Sequence, residues 1–290
     1  VLINNESKAV NYITANLSNE EYHSMAGISS SHFKLMERSP LHYWQAYVNP
    51  EREKREPTAA MLMGTAWHTA VFEPEHLTRD FVEVPEGIDR RTKEGKALFA
   101  EIEASGKTPF KPDEFQQVVR MANLASSHPV MSMLLSHEQC IIENSIFIVD
   151  EETSLTLKIR PDLAIMPCDQ FPHGLILDGK TTQDASPAEF GRSYWNLSYH
   201  YQAAFYCDVW QRFWKTEQRP PFLYFCQEKD APHATAMYSA PAKMIDFGHK
   251  RYREQLVKIV ECHRAQEWPS YSKEITNLTL PVWAEKEIDG

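Results

Sequence analysis

The residues with the clearest chemical potential are Pro161-Asp162 and, sixteen residues after Asp162, the triplet Asp178-Gly179-Lys180. Each aspartate closes a run of β-forming residues, TLKIRPD and LILD. Side chains alternate along a strand, so Asp178 and Lys180 share a face. On neighbouring strands, Asp162 would approach Asp178 near the sheet end. Two close carboxylates repel unless a cation lies between them. Mg²⁺ takes hard oxygen ligands, and two carboxylates with a backbone carbonyl suit it. A lysine alongside would polarise a water or stabilise charge building on a phosphate. The triplet alone is weak evidence. Glu6-Ser7-Lys8 and Glu94-Gly95-Lys96 repeat it, and a surface ion pair on a hairpin would use the same residue types. What sets 161–180 apart is a Pro-Asp upstream of a triplet that ends a second strand.

Two helical positions could add to this set. His68 lies between apolar positions of a helical pattern that runs from Ala59 to about Phe72 and stops at Pro74. Most lone helical histidines are structural, but imidazole is a common metal ligand. Gln202 and Tyr206 are spaced i, i+4 on one helix face. Gln202 would reach a water or phosphate, while Tyr206 reads as packing.

The remaining pattern supplies the scaffold. The first 27 residues are polar and read as an arm. Helical segments are expected at 32–37 and after Ser39-Pro40, followed by a charged linker at 51–58. Residues 79–111 read as an excursion: an extended FVEVP, a basic loop with Arg90, Arg91, Lys93 and Lys96, then a helix. Pro112 and Pro129 sit where helices would begin. From about residue 138 the chain turns β-rich. One long helix is expected over 187–215, two further strands after it, and an amphipathic helix over 242–267. This order predicts an α/β fold with one mixed central β-sheet flanked by helices and an N-terminal helical region. It corresponds to a single domain at 28–290, with a helical part at 28–137, a core at 138–267 and a tail at 268–290.

Composition narrows the functional classes. The 290 residues carry 30 basic and 40 acidic side chains, a net charge of −10, which argues against a general nucleic-acid coat. A local basic groove remains compatible with that balance. The five cysteines show no CxxC spacing, which excludes a zinc knuckle and disfavours an iron–sulfur cluster. There is no HExxH, so a zinc hydrolase is a poor fit. No apolar run approaches the roughly 18 residues of a membrane span, and no basic-then-apolar leader opens the chain. With the odd cysteine count, this points to a reducing, cytoplasmic setting. The opening Val1 is what a fragment or a processed product would show.

Taken together, Gly64-xxx-His68, Pro161-Asp162, Asp178-Gly179-Lys180-Thr181 and Gln202-xxx-Tyr206 resemble the PD-(D/E)xK nuclease superfamily. The resemblance is closest to the exonuclease branch that includes the lambda exonuclease and RecB nuclease domains. ISSSHFKLMERSPLHYW is similar to that branch's Ser-rich opening helix, although position 39 is Ser where some relatives place an iron–sulfur cysteine. The resemblance implies a restriction-endonuclease-like core. It also implies an Mg²⁺-dependent exonuclease that degrades linear duplex DNA 5′ to 3′ to mononucleotides, leaving 3′ single strands for recombination. Asp162, Asp178, the Gly179 carbonyl and His68 would hold metal, Lys180 would activate or position water, and Gln202 would assist. Two Mg²⁺ ions, replaceable by Mn²⁺, a homo-oligomeric ring (a tetramer) and a single-strand annealing partner are also implied. For DNA contact, Ser29 and Ser31 would hold a terminal 5′ phosphate or cap a helix, and Arg90, Arg91, Lys93 and Lys96 would meet backbone phosphates. An endonuclease on the same core and a non-catalytic DNA-end-binding module are the competing uses.

Overall fold

The computed structural model describes residues 11–15, 17–53, 56–281, 284 and 287–288. The chain enters through β1 (Tyr12–Thr14), α1 (Asn19–Ser24), α2 (Ser31–Arg38) and α3 (Pro40–Tyr43), which runs on as a π-helical turn to Val48. Then come α4 (Ala59–Phe72) and α5 (Leu77–Asp80). The excursion follows: β2 (Phe81–Glu83), α6 (Lys93–Ser105) and β3 (Thr108–Phe110). Two helices begin at the expected prolines, α7 (Pro112–Ser126) and α8 (Pro129–Leu135). The core continues with β4 (Cys140–Ile142), β5 (Ser145–Val149), β6 (Thr156–Ile159), β7 (Leu163–Ile165) and β8 (Leu175–Thr182). It closes with α9 (Pro187–Asn196), α10 (Tyr199–Trp214), β9 (Phe222–Glu228), β10 (Thr235–Ser239) and α11 (Ala242–Ala265).

The central sheet has the order β10-β9-β8-β7-β4, with β8 parallel to β9 and antiparallel to β7. It is the mixed, helix-flanked α/β sheet expected from the sequence. A three-stranded sheet, β1-β5-β6, and a two-stranded one, β2-β3, stand beside it. Alternation along β8 divides its neighbours. Ile176 joins the core under α10 and α11, while Leu175 and Leu177 join the core under α4, α7 and α8. The same alternation sends Asp178 and Lys180 toward α10 and leaves Gly179 facing α4.

Three expectations need correction. The segment read as a polar arm is partly folded: β1 pairs with β5, and α1 is docked by two buried cations. Lys158 Nζ donates to the carbonyls of Tyr22 and Met25, and Arg160 donates to the Leu17 carbonyl and to Asn19 Oδ1. These cations, Lys158 on β6 and Arg160 just past it, need acceptors, and the N-terminal segment supplies them. Residues 1–10 of that segment lie outside the described residues. Secondly, the single helix expected over 187–215 is two helices, because Ser198 takes a left-handed conformation, φ 61°, between α9 and α10. Thirdly, Asp178 sits inside β8 rather than at its end.

One ion cluster ties the three-stranded sheet to the helices. Asp150, just past β5, accepts from Arg212 of α10, from Arg253 of α11 and from Thr153. Burial works to raise its pKa. Hydrogen bonds from Arg253, Thr153 and Arg212 and the charge of Arg253 outweigh that and lower it to about 2. The folded value lies below the ordinary 3.8, so the contribution is complete above about pH 4 and is lost as pH falls through about 2. Asp150→Ala should cost about 3 kcal/mol by leaving two arginines short of their partner. Urea unfolding at pH 7 and pH 2.5 checks this: the variant's deficit should shrink at the lower pH.

Candidate active site

The site forms where α4 crosses the sheet at β7 and β8. Leu163 of β7 pairs with Leu177 of β8, which brings Asp162 beside Asp178. Asp162 Oδ2 accepts a 2.6 Å hydrogen bond from the Gly179 N–H and lies 3.4 Å from His68 Nδ1. Asp178, almost fully buried, is held on two sides. Its Oδ1 accepts from the Gln202 amide on α10, and its Oδ2 contacts Lys180 Nζ. The Tyr199 ring lies 4.8 Å from the same ammonium. His68, Asp162, Asp178, Lys180 and Gln202 are therefore brought together. Tyr206 is a packing residue whose hydroxyl donates to the Arg160 carbonyl.

Glu143 is a residue the sequence reading missed. It follows β4, donates its N–H to the Asp162 carbonyl, and joins His68 and Asp162 in a set whose ligand atoms all lie within 4.8 Å of one another. Its φ of 50° is the left-handed conformation that non-glycine residues seldom adopt. The available signal was the Glu-Asn interruption in CIIENSIFIV, which splits one apparent strand into β4 and β5.

The carboxylates of this set crowd one another. Burial and the nearby Asp162, Glu73 and Asp178 carboxylates push Glu143 up to about 9, against Arg160. Burial, with Asp178, pushes Asp162 up to about 6, against the opposing pull of His68, Lys180 and the Gly179 N–H. For Lys180, burial acts to lower the pKa, but Asp178 and Asp162 outweigh it and raise it above the ordinary lysine value. That direction favours the protonated ammonium. Two crowded carboxylates that resist ionisation, next to an imidazole, fit a divalent ion held by oxygen and nitrogen donors.

The glycine of the triplet has a packing role. A Cβ at position 179 would stand 2.9 Å from the Trp67 ring and 3.0 Å from the Phe72 ring. Trp67 is fixed by donating to Gln227 Oε1, so it cannot yield freely. Because His68 follows Trp67, this close approach also sets the imidazole's position.

The expected DNA contacts lie elsewhere. The Ser29 and Ser31 hydroxyls are 3.0 Å apart, Ser29 Oγ is 3.0 Å from His32 Nδ1, and Tyr47 donates to Ser31. They line a cleft of about 320 Å³ with His23, Arg52 and Lys158. Neither is the N-cap of α2. That position is Ser30, whose side chain makes no capping bond. Arg90 stacks over Phe99 at 3.9 Å, and Arg91 pairs with Asp89. Lys93 and Lys96 occupy the first turn of α6. No hydrogen bond or ion pair among the described residues joins these four cations to Glu143, Asp162 or Asp178.

The family described as "PDDEXK-like domain of unknown function (DUF3799)" matches residues 29–280. The chain belongs to this family. Its fold is similar to the crystal structure of a protein from Eubacterium rectale described as a candidate exonuclease, at 14% identity and a TM-score of 0.58. That match covers 94% of this chain and 98% of the other. A second solved structure, SSO0001, is 13% identical over 68% of this chain and 86% of its own, with a TM-score of 0.30. No curated protein matches the sequence. The PDDEXK-like assignment agrees with the superfamily to which the sequence motifs are similar. No helix among the described residues is long and apolar enough to cross a membrane.

Two predictions follow from this geometry. Gly179→Ala should destabilise the fold by about 1–3 kcal/mol through overpacking against Trp67, measured by denaturant titration. Millimolar Mg²⁺ or Mn²⁺ should raise the melting temperature of the wild-type chain. Glu143→Gln and Asp162→Asn should each abolish most of that rise.

Proposed function

We propose that this protein is a divalent-metal-dependent exonuclease acting on linear double-stranded DNA. The observation that carries the reading is the arrangement of Asp178 between Lys180 and Gln202, beside the His68, Glu143 and Asp162 set. Its motifs look like those of the C-terminal nuclease domain of exonuclease VIII. Digestion would run 5′ to 3′, releasing 5′-mononucleotides and leaving 3′ single strands for recombination. The acting form would be a homo-oligomeric ring, a tetramer, working with a single-strand annealing partner.

Asp162, Asp178, the Gly179 carbonyl, His68 and Glu143 would hold Mg²⁺, or Mn²⁺ in its place, and probe titrations can count whether one or two ions bind. When bound, the ion supplies Lewis-acid activation of water and phosphate. The chain's own residues do the rest. Lys180, kept protonated by two carboxylates, orients a water and offsets negative charge as the phosphate is attacked. Gln202 fixes the Asp178 carboxylate in one orientation. Asp162, anchored by the Gly179 N–H, holds the His68 ring. The cleft at Ser29, Ser31 and Arg52 takes the terminal 5′ phosphate through hydroxyl and guanidinium donors. Arg90, Arg91, Lys93 and Lys96 meet backbone phosphates farther along the duplex.

End-labelled linear duplex incubated with Mg²⁺ tests the reading. Mononucleotides should accumulate from linear DNA and not from closed circles, and EDTA should stop the reaction. Cleavage of circles would assign an endonuclease, and binding of ends without hydrolysis would assign a non-catalytic module. Asp178→Ala and Lys180→Ala should each lower the rate by about 10³-fold or more with the fold retained. Gln202→Ala, which only frees Asp178, should cost about 10- to 100-fold.

A further inference from the structure

Away from the carboxylates, a cleft of about 420 Å³ opens between the end of α9 and the first turns of α11. Its wall is a row of rings. Trp195 stacks on His200 at 5.3 Å and on Phe247 at 5.7 Å. His200 is buried and supports the row, whereas Trp195 stays 54% exposed and Phe247 38%. Stacked on each other, the two rings form one exposed aromatic patch.

The cleft is lined by charges of both signs, Glu37 and Glu254 with Lys250 and Arg251. Lys243, Phe247 and Lys250 are spaced i, i+4, i+7 on α11, so both lysines flank the ring. Neither has an acidic partner among the described residues. Glu37 and Glu254 both pair with Arg251, a triad that keeps one net negative charge, against which stand Lys243 and Lys250. Lys34 adds a further cation, donating to the Asn196 carbonyl next to Trp195.

The cleft is also close to the site. Trp195 precedes Tyr199 by four residues, a span of at most about 14 Å even if extended. Tyr199 covers Lys180. A strand leaving or entering the site would reach the indole within a few nucleotides. Flat exposed rings bordered by lysines without an ion-pair partner are the chemistry that binds unpaired bases and their phosphates without regard to sequence.

We propose that Trp195, backed by His200 and Phe247, is a stacking platform for an unpaired base of single-stranded DNA, with Lys250 and Lys34 on the adjacent phosphates. The inference rests on the nuclease reading for its biological sense, but its measurement is separate. The probe is a fluorescein-labelled deoxythymidine 12-mer, titrated with the full chain in EDTA and followed by anisotropy. Trp195→Ala should weaken binding about tenfold, and Trp195→Phe should stay within about threefold of wild type. Lys250→Ala should flatten the salt dependence by about 0.7 in log–log slope. Hydrolysis of duplex by Trp195→Ala at saturating substrate should match wild type. Wild type that does not bind the 12-mer, or Trp195→Ala that binds it within twofold of wild type, overturns the proposal. If the latter comes with a smaller sedimenting mass, the platform is instead an interface between copies of the chain. Failure of the nuclease reading is a different result: no Mg²⁺-dependent digestion by wild type, with 12-mer binding and its loss in Trp195→Ala intact.

Discussion

Like charges buried together are the constraint on which this structure turns. Glu143, Asp162 and Asp178 converge in a partly buried region, and Lys180, His68 and Arg160 stand against them. Water would screen such charges cheaply, whereas a protein interior does not. The strain is distributed unevenly. Asp178 is satisfied by Lys180 and Gln202, while Glu143 and Asp162 face each other with pKa values pushed to about 9 and about 6. A fold that only needed stability would replace such a set with apolar residues. Its retention in the centre of a well-packed sheet makes sense if a divalent cation completes it.

The scaffold's task is to hold these groups against their repulsion. Central strand β8 does so from both faces. On one, α10 lowers Gln202 onto Asp178 and Tyr199 onto Lys180. On the other, α4 lies so close that only glycine fits at 179, with Trp67 wedged against it and tied to Gln227. The same approach places His68 over Asp162 and lets the Gly179 N–H reach the carboxylate. Packing and chemistry therefore share residues: a glycine serves as contact surface and donor, and the tryptophan that excludes a Cβ also positions its neighbour, the histidine. The Ser198 break has a comparable effect, since it lets α10 start afresh with Tyr199 over the lysine.

Much of this was legible in the sequence because it depends on local period and on residue chemistry. Asp178 and Lys180 share a face by strand alternation alone, and Pro112 and Pro129 start helices because proline suits the first helical position. The limits of α4 could be read from the apolar run that starts at Ala59 and from Pro74. What escaped was set by tertiary context. Glu143 reaches the site only through a left-handed turn between two short strands, which no periodicity signals. Residues 12–24 look like a solvated arm until Lys158 and Arg160 are seen to be buried beneath them. Ser198 ends α9 through backbone conformation, without a glycine or proline to mark it.

The most direct test of the buried-charge account is anomalous diffraction from crystals equilibrated with Mn²⁺. The account requires a peak bounded by His68 Nδ1 and the carboxylates of Glu143 and Asp162, within coordination reach of each, and its loss on chelation. Crystals at neutral pH with saturating Mn²⁺ and no density there, or with Mn²⁺ only at surface carboxylates, would contradict it.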